Sequence, residues 1–76
     1  MKKYIEAIDR LYEDCIKAAH FYGSSVSACA IAERFDRMCI GVMEVAIHDM
    51  NLGIGEFGDI SEYRMNKSAE LYDTLK

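Results

Sequence analysis

A chain of 76 residues that is 51% apolar, contains no proline and carries a formal charge of −4 is too short for two separate cores and is weakly suited to general nucleic-acid binding. Its longest strongly apolar stretch, residues 38–47, contains Glu44 and falls well below the ~20 residues of a membrane span. Cys15, Cys29 and Cys39 have no paired spacing and no leader-like segment precedes the domain, which predicts reduced thiols in a cytoplasmic protein.

The first helix is expected over residues 3–22. Tyr4, Ile8, Leu11, Cys15, Ala18 and Tyr22 recur at alternating steps of four and three, flanked by Ile5, Tyr12 and Ala19, the spacing of an amphipathic helix. His20 suits the carbonyl end of the helix dipole, and Gly23 stands where a left-handed C-cap residue is expected. Ser24 or Ser25 then caps the second helix. So short a connection implies an antiparallel hairpin.

The second helix is expected over residues 25–50, and its apolar face is the widest feature of the chain. Phe35, Cys39, Val42, Ala46, Ala28, Ala32, Met50, Met43, Ile31, Val45, Met38 and Ile47 spread over roughly 200° of surface, against ~100° for a helix buried on one side. Two partner surfaces are needed, one of which a second molecule could supply. Glu33, Arg37, Glu44 and His48 share a narrow solvated strip with Gly41, where glycine costs about 1 kcal/mol relative to alanine. That cost is either tolerated or reflects close approach of another backbone.

Residues 51–58 read NLGIGEFG, a glycine-rich loop whose Leu52, Ile54 and Phe57 tuck beneath the bundle. Without a preceding strand and a suitably placed lysine, these glycines do not form a phosphate cradle. Asp59 and Glu62 have capping-box spacing and open a third helix over residues 60–75. Its inward face is expected to hold Ile60, Met65, Ala69, Leu71, Tyr72 and Leu75 with Ser61 and Ser68, and its outward face Glu62, Tyr63, Asn66, Glu70 and Asp73. The fold class is therefore an all-α, three-helix single domain spanning residues 1–76.

Reactive constellations are sparse. Glu44 and His48 stand one turn apart, but two ligands fall short of the three or four that zinc takes. The two histidines belong at opposite ends of the hairpin, and Cys15 and His20 point to different faces. No catalytic residue, metal or cofactor is assigned. A small enzyme with sites built across subunits around Glu44 and His48 would require oligomerisation.

The expected function is a non-enzymatic protein-binding or regulatory module, self-associating through helix-surface contacts. Met38, Met43 and Ile47 on the margins of the second helix are the candidate contacts, since methionines make adaptable surfaces. Tyr63 is a further candidate on the third helix. The alternative is an acidic inhibitor, of the anti-CRISPR-like kind that mobile genetic elements encode. It would block a nucleic-acid-binding enzyme through Glu62, Glu70 and Asp73, with Glu6, Asp9, Glu13 and Asp14 on the first helix. A helix-turn-helix DNA-binding regulator is the second alternative. Val26, Ser27, Ala28, Cys29, Ala30 and Ile31 offer almost nothing to base edges, so direct nucleic-acid contact is not expected.

Overall fold

The computed structural model describes residues 2–23 and 26–76 and shows three helices: α1 (Lys2–Tyr22), α2 (Ala28–Ile47) and α3 (Ile54–Leu75). The all-α fold follows from the apolar periodicity. Among the described residues there is no strand, and no helix is long and apolar enough to cross a membrane.

Side-chain pairs fix the topology. Tyr4 of α1 bonds Asp49 beyond the end of α2, while Tyr12 meets Phe35 edge-on at 6.1 Å, so α1 and α2 are antiparallel. Asp36 of α2 pairs with Arg64 of α3 at 3.6 Å, and Ile47 and Phe57 line one hollow, so α3 runs back along α2. Tyr63 bonds Asp9 and Lys67 lies over the Tyr12 ring at 4.5 Å, which makes α1 and α3 parallel. The result is an up-down-up bundle measuring 42 × 17 × 16 Å.

Its core is a single file of side chains. Tyr4, Ile8 and Cys15 from α1 meet Ile31, Phe35, Cys39 and Ala46 from α2 and Ile60 and Leu71 from α3. Full burial of an aliphatic or aromatic side chain contributes about 1.5–3 kcal/mol, so Ile8, Phe35, Ile60 and Leu71, each at 0% exposure, dominate the packing. Gly23 has φ +59°, as the end of α1 requires.

Helix boundaries depart from the sequence expectation in three places. Ser24 and Ser25 lie outside the described residues. The cap on α2 is Ser27, whose hydroxyl accepts from the Ala30 amide at 3.1 Å. The helix ends at Ile47 because Asp49 is engaged elsewhere: its carboxylate accepts from the Asn51 amide at 2.9 Å and from the Tyr4 hydroxyl, with the Lys3 ammonium 3.6 Å away. Met50 therefore leaves the helix and is 99% exposed.

The largest correction concerns α3. It starts at Ile54 with Gly53 as N-cap, and the Phe57 amide donates to the Gly53 carbonyl at 3.0 Å. Asp59 and Glu62 are thus interior helical positions and form no capping box. Phe57 explains the earlier start, because half-burial beside Ala46 and Leu52 offsets the cost of Gly55 and Gly58 within a helix. Glu56 in the first turn also suits the positive end of the dipole.

Candidate interaction face on α2 and α3

Helix α2 carries two apolar stripes at helical spacing. Ile31, Phe35, Cys39 and Ala46 fill the core. Ile40, Met43 and Ile47 lie on a second stripe that borders an open groove against α3. Intervals of three and four residues place Asp36, Ile40, Met43 and Ile47 in line.

The groove consists of two hollows. Towards the end of α2, Ile40, Met43 and Ile47 are joined by Phe57 and Ser61. Towards its start, Ala32 and Cys29 are joined by Met65, Ser68, Ala69 and Tyr72. Both hollows share Asp36 and Arg64, so this ion pair forms a saddle between them. The first is lined mainly by bulky apolar side chains, and the second mixes the small Ala32, Ser68 and Ala69 with Met65 and Tyr72.

The saddle is incompletely satisfied within the chain. Asp36 Oδ1 lies 3.6 Å from an Arg64 terminal nitrogen, too far for a good hydrogen bond. Among the described residues Asp36 Oδ1 and Arg64 Nε are buried atoms with no hydrogen-bond partner, although the two side chains are partly exposed. Such atoms carry a desolvation cost of about 1–3 kcal/mol when left unpaired.

Exposure along the groove is substantial. Ile40 is 53% exposed, Ile47 64%, Met65 59% and Tyr72 42%. The sequence expectation that Met65, Ala69 and Tyr72 face inward is therefore corrected: they face this groove and solvent. Rotation of α3 about Ile60 and Leu71, the two residues it buries fully, turns them outward.

The seven candidate contact residues separate. Met43 and Ile47 line the groove, and Asp73 lies at its far end. Met38 is half-buried and packed against the core. Glu62 and Glu70 are exposed, and Glu70 and Asp73 pair with Lys67 and Lys76 at 3.5 and 3.7 Å. Tyr63 is corrected outright: it is half-buried and its hydroxyl donates to Asp9. That bond is the first cause pushing its phenol up to about 12, with burial adding to it.

Ile40, Asp36, Arg64, Met65 and Tyr72 are among the groove residues that sequence reasoning missed. A signal for Ile40 existed, since it shares helical spacing with Met43 and Ile47, but the core stripe beside it dominated the periodicity. The Asp36–Arg64 pair spans two helices and leaves no local trace.

Other chemistry is thin. Burial pushes the Cys39 thiol up to about 11 and raises that of Cys15, which keeps both as protonated core residues. His20 lines a hollow beside the end of α1, and His48 one beside its start. Among the described residues, no group of three or more His, Cys, Asp and Glu side chains is placed to hold a metal ion. No protein family, curated protein or solved structure matches the chain.

Proposed function

We propose that this chain is a non-enzymatic protein-binding module and that the α2–α3 groove is its contact face. The observation that carries the reading is the exposed set Ile40, Ile47, Met65 and Tyr72 arrayed around the partly exposed Asp36–Arg64 ion pair. An apolar patch with a few convergent polar groups is what a docking surface offers.

The acidic-inhibitor reading draws less support. Lys67 and Lys76 stand beside Glu70 and Asp73, Lys2 lies 3.9 Å from Glu6, and Asp9 accepts from Tyr63. These partners dilute the negative field on which a mimic of nucleic acid depends.

Site-specific photo-crosslinking in the native cell tests the proposal. A photoreactive phenylalanine analogue at Ile40 is expected to form protein adducts, whereas the same group at exposed Glu13 of α1 forms none. Equal yields at the two positions, or no protein adduct at Ile40, would remove the groove as a contact face. If adduct yield falls steeply with salt added before irradiation, the electrostatic inhibitor gains ground instead.

A further inference from the structure

We infer that the outer crest of α2 docks against the same crest of a second copy of this chain, antiparallel, about a two-fold axis that passes between Ile40 and Gly41. The crest borders the groove described above, but the inference does not require that groove to be occupied.

Glu33, Arg37, Gly41, Glu44 and His48 are all exposed and follow one another at intervals of three and four residues, so they form one row along the helix. Glu44 lines both the hollow against α3 and the hollow that Lys3, Tyr4 and Val45 form on the α1 side, which makes the row a crest between two depressions. Exposed Ile40 and Ile47 flank it on one side and exposed Val45 on the other. A second helix laid along the crest removes all three from water.

The order of charges fixes the direction and register of that helix. In an isologous contact, if residue i of one copy meets residue j of the other, then j also meets i. Residues 37 and 44, 33 and 48, and 40 and 41 share one midpoint, so an axis there brings Arg37 level with Glu44 of the second copy and Glu33 level with its His48. Like charges stay apart, since positions 37 and 44 are separated by about 10 Å of helical rise. Slipping by one turn sets Glu33 level with Glu44 in one direction and Arg37 level with His48 in the other, and a parallel arrangement sets each charge against itself.

These groups have capacity for such contacts. Arg37 stands 3.9 Å from Glu33 with both side chains mostly exposed, a solvated pair worth little, and a guanidinium has five donors to offer. Glu44 takes part in no ion pair among the described residues.

Gly41 leaves a gap at the axis itself. A glycine inside a helix lowers its stability, and beyond its own helix turn nothing among the described residues lies within 4 Å of a methyl group placed there, so no contact inside the chain calls for it. Where two copies of α2 cross, Ile40 meets Ile40 on one flank of the axis and Gly41 meets Gly41 on the other. The missing side chains let the two backbones approach.

Charge exchange tests the register. Wild type is expected to sediment as a weak dimer, populated at high micromolar concentration, because one helix-on-helix contact lies at the small end of specific interfaces. Arg37→Glu sets carboxylates level with each other on both sides of the axis and Glu44→Arg does the same with guanidinium groups, so each variant should weaken the dimer by about tenfold or more. The double variant Arg37→Glu/Glu44→Arg restores opposite pairs and should restore the dimer. Gly41→Leu is expected to raise the melting temperature in dilute solution while abolishing the dimer, a combination that a role confined to the monomer would not produce. Met65→Glu, in the α2–α3 groove, should leave the dimer intact.

A wild-type monomer up to millimolar concentration overturns the inference, as does a dimer that tolerates Arg37→Glu or Gly41→Leu, or one that the folded double variant fails to restore. A dimer lost with Met65→Glu and kept with Gly41→Leu moves self-association into the groove and sinks the crest geometry. A wild-type monomer whose Ile40 photo-adducts carry a different protein sinks the crest and keeps the groove reading; a dimer that responds as stated, with Ile40 adducts to a second copy only, does the reverse.

Discussion

The Tyr63 hydroxyl donates to the Asp9 carboxylate across 54 residues of chain and ties α3 to α1. Tyr4 and Asp49 do the same for α1 and the end of α2. In each case one α1 residue is joined to a distant partner by a phenol–carboxylate bond at the border of the core. Lys67 lies over the Tyr12 and Tyr63 rings at 4.5 and 5.8 Å, adding a cation to the α1–α3 seam.

Replacement Tyr63→Phe keeps the ring and deletes the donor. A hydrogen bond to a charged group at a half-buried site is worth about 1–2 kcal/mol, and urea denaturation should show a loss of that size with an unchanged slope. No change in midpoint would mean that Asp9 and Tyr63 bond equally well to water.

Stability should be flat near neutral pH and fall at both extremes. The Tyr63 phenol is raised from 10.0 to about 12, and that of Tyr4 is raised chiefly by its bond to Asp49. A raised folded value favours the protonated form, so this contribution is complete below pH 10 and disappears as pH climbs towards 12. Asp49 is lowered from 3.8, first by the Tyr4 hydroxyl and then by the Asn51 amide. Its contribution is present above that value and disappears as acid protonates it in the folded state. Melting temperatures across pH should show both limbs, and the double variant Tyr4→Phe/Tyr63→Phe should flatten the alkaline one; an alkaline limb identical to that of wild type would refute the assignment.

Two alanine substitutions locate the helix starts. Ser27→Ala removes the hydroxyl that accepts from Ala30 and should cost about 1 kcal/mol. Asp59→Ala changes an exposed position inside α3 and should be neutral or slightly stabilising, because alanine is the better helix former. Gly58→Ala should gain about 1 kcal/mol, since nothing lies within 4 Å of the added methyl group. Thermal or urea melts read all three. A destabilising Asp59→Ala with an inert Gly58→Ala would put the start of the helix back at residue 60.

Phe35 is 0% exposed and meets Tyr12 edge-on. Phe35→Ala should cost about 3–5 kcal/mol, enough to unfold a domain this small. Ile40→Ala on the groove stripe, five residues along the same helix, should leave the monomer's melting temperature nearly unchanged. Comparable losses for both would mean that the groove is already covered within the monomer.

The interior of the protein is largely legible in the sequence, and its second apolar surface is not. Steps of three and four predicted α1, the core stripe of α2 and the burial of Ile60 and Leu71. They also predicted that the apolar girdle of α2 was too wide for one neighbour, and Ile47 and Val45, 64% and 63% exposed, stand on its uncovered margins. Gly41 allows either a tolerated imperfection or a close approach; beyond its own helix turn nothing among the described residues lies within 4 Å of a methyl group placed there.

Capping-box spacing is a local pattern and places the start of α3 six residues too late. Its competitor was tertiary: Phe57 gains burial by packing against Ala46 and Leu52, which extends the helix through two glycines. The outward placement of Tyr63 fails for a similar reason. Helical spacing groups it with Glu62 and Glu70, and only the lateral position of α1, which brings Asp9 within bonding distance, turns that flank of α3 into a seam.

Sequence alone determined what each helix can decide for itself: its period, its solvated strip and the residues that can end it, because these follow from backbone geometry and neighbours within one turn. Tertiary structure decided the rotation of α3, the meeting of Asp36 with Arg64 and the emergence of Ile40, Met65 and Tyr72 on a common groove. Those outcomes depend on how three nearly cylindrical surfaces share a single file of core side chains, and a one-helix periodicity holds no information about the angle at which its neighbour lies.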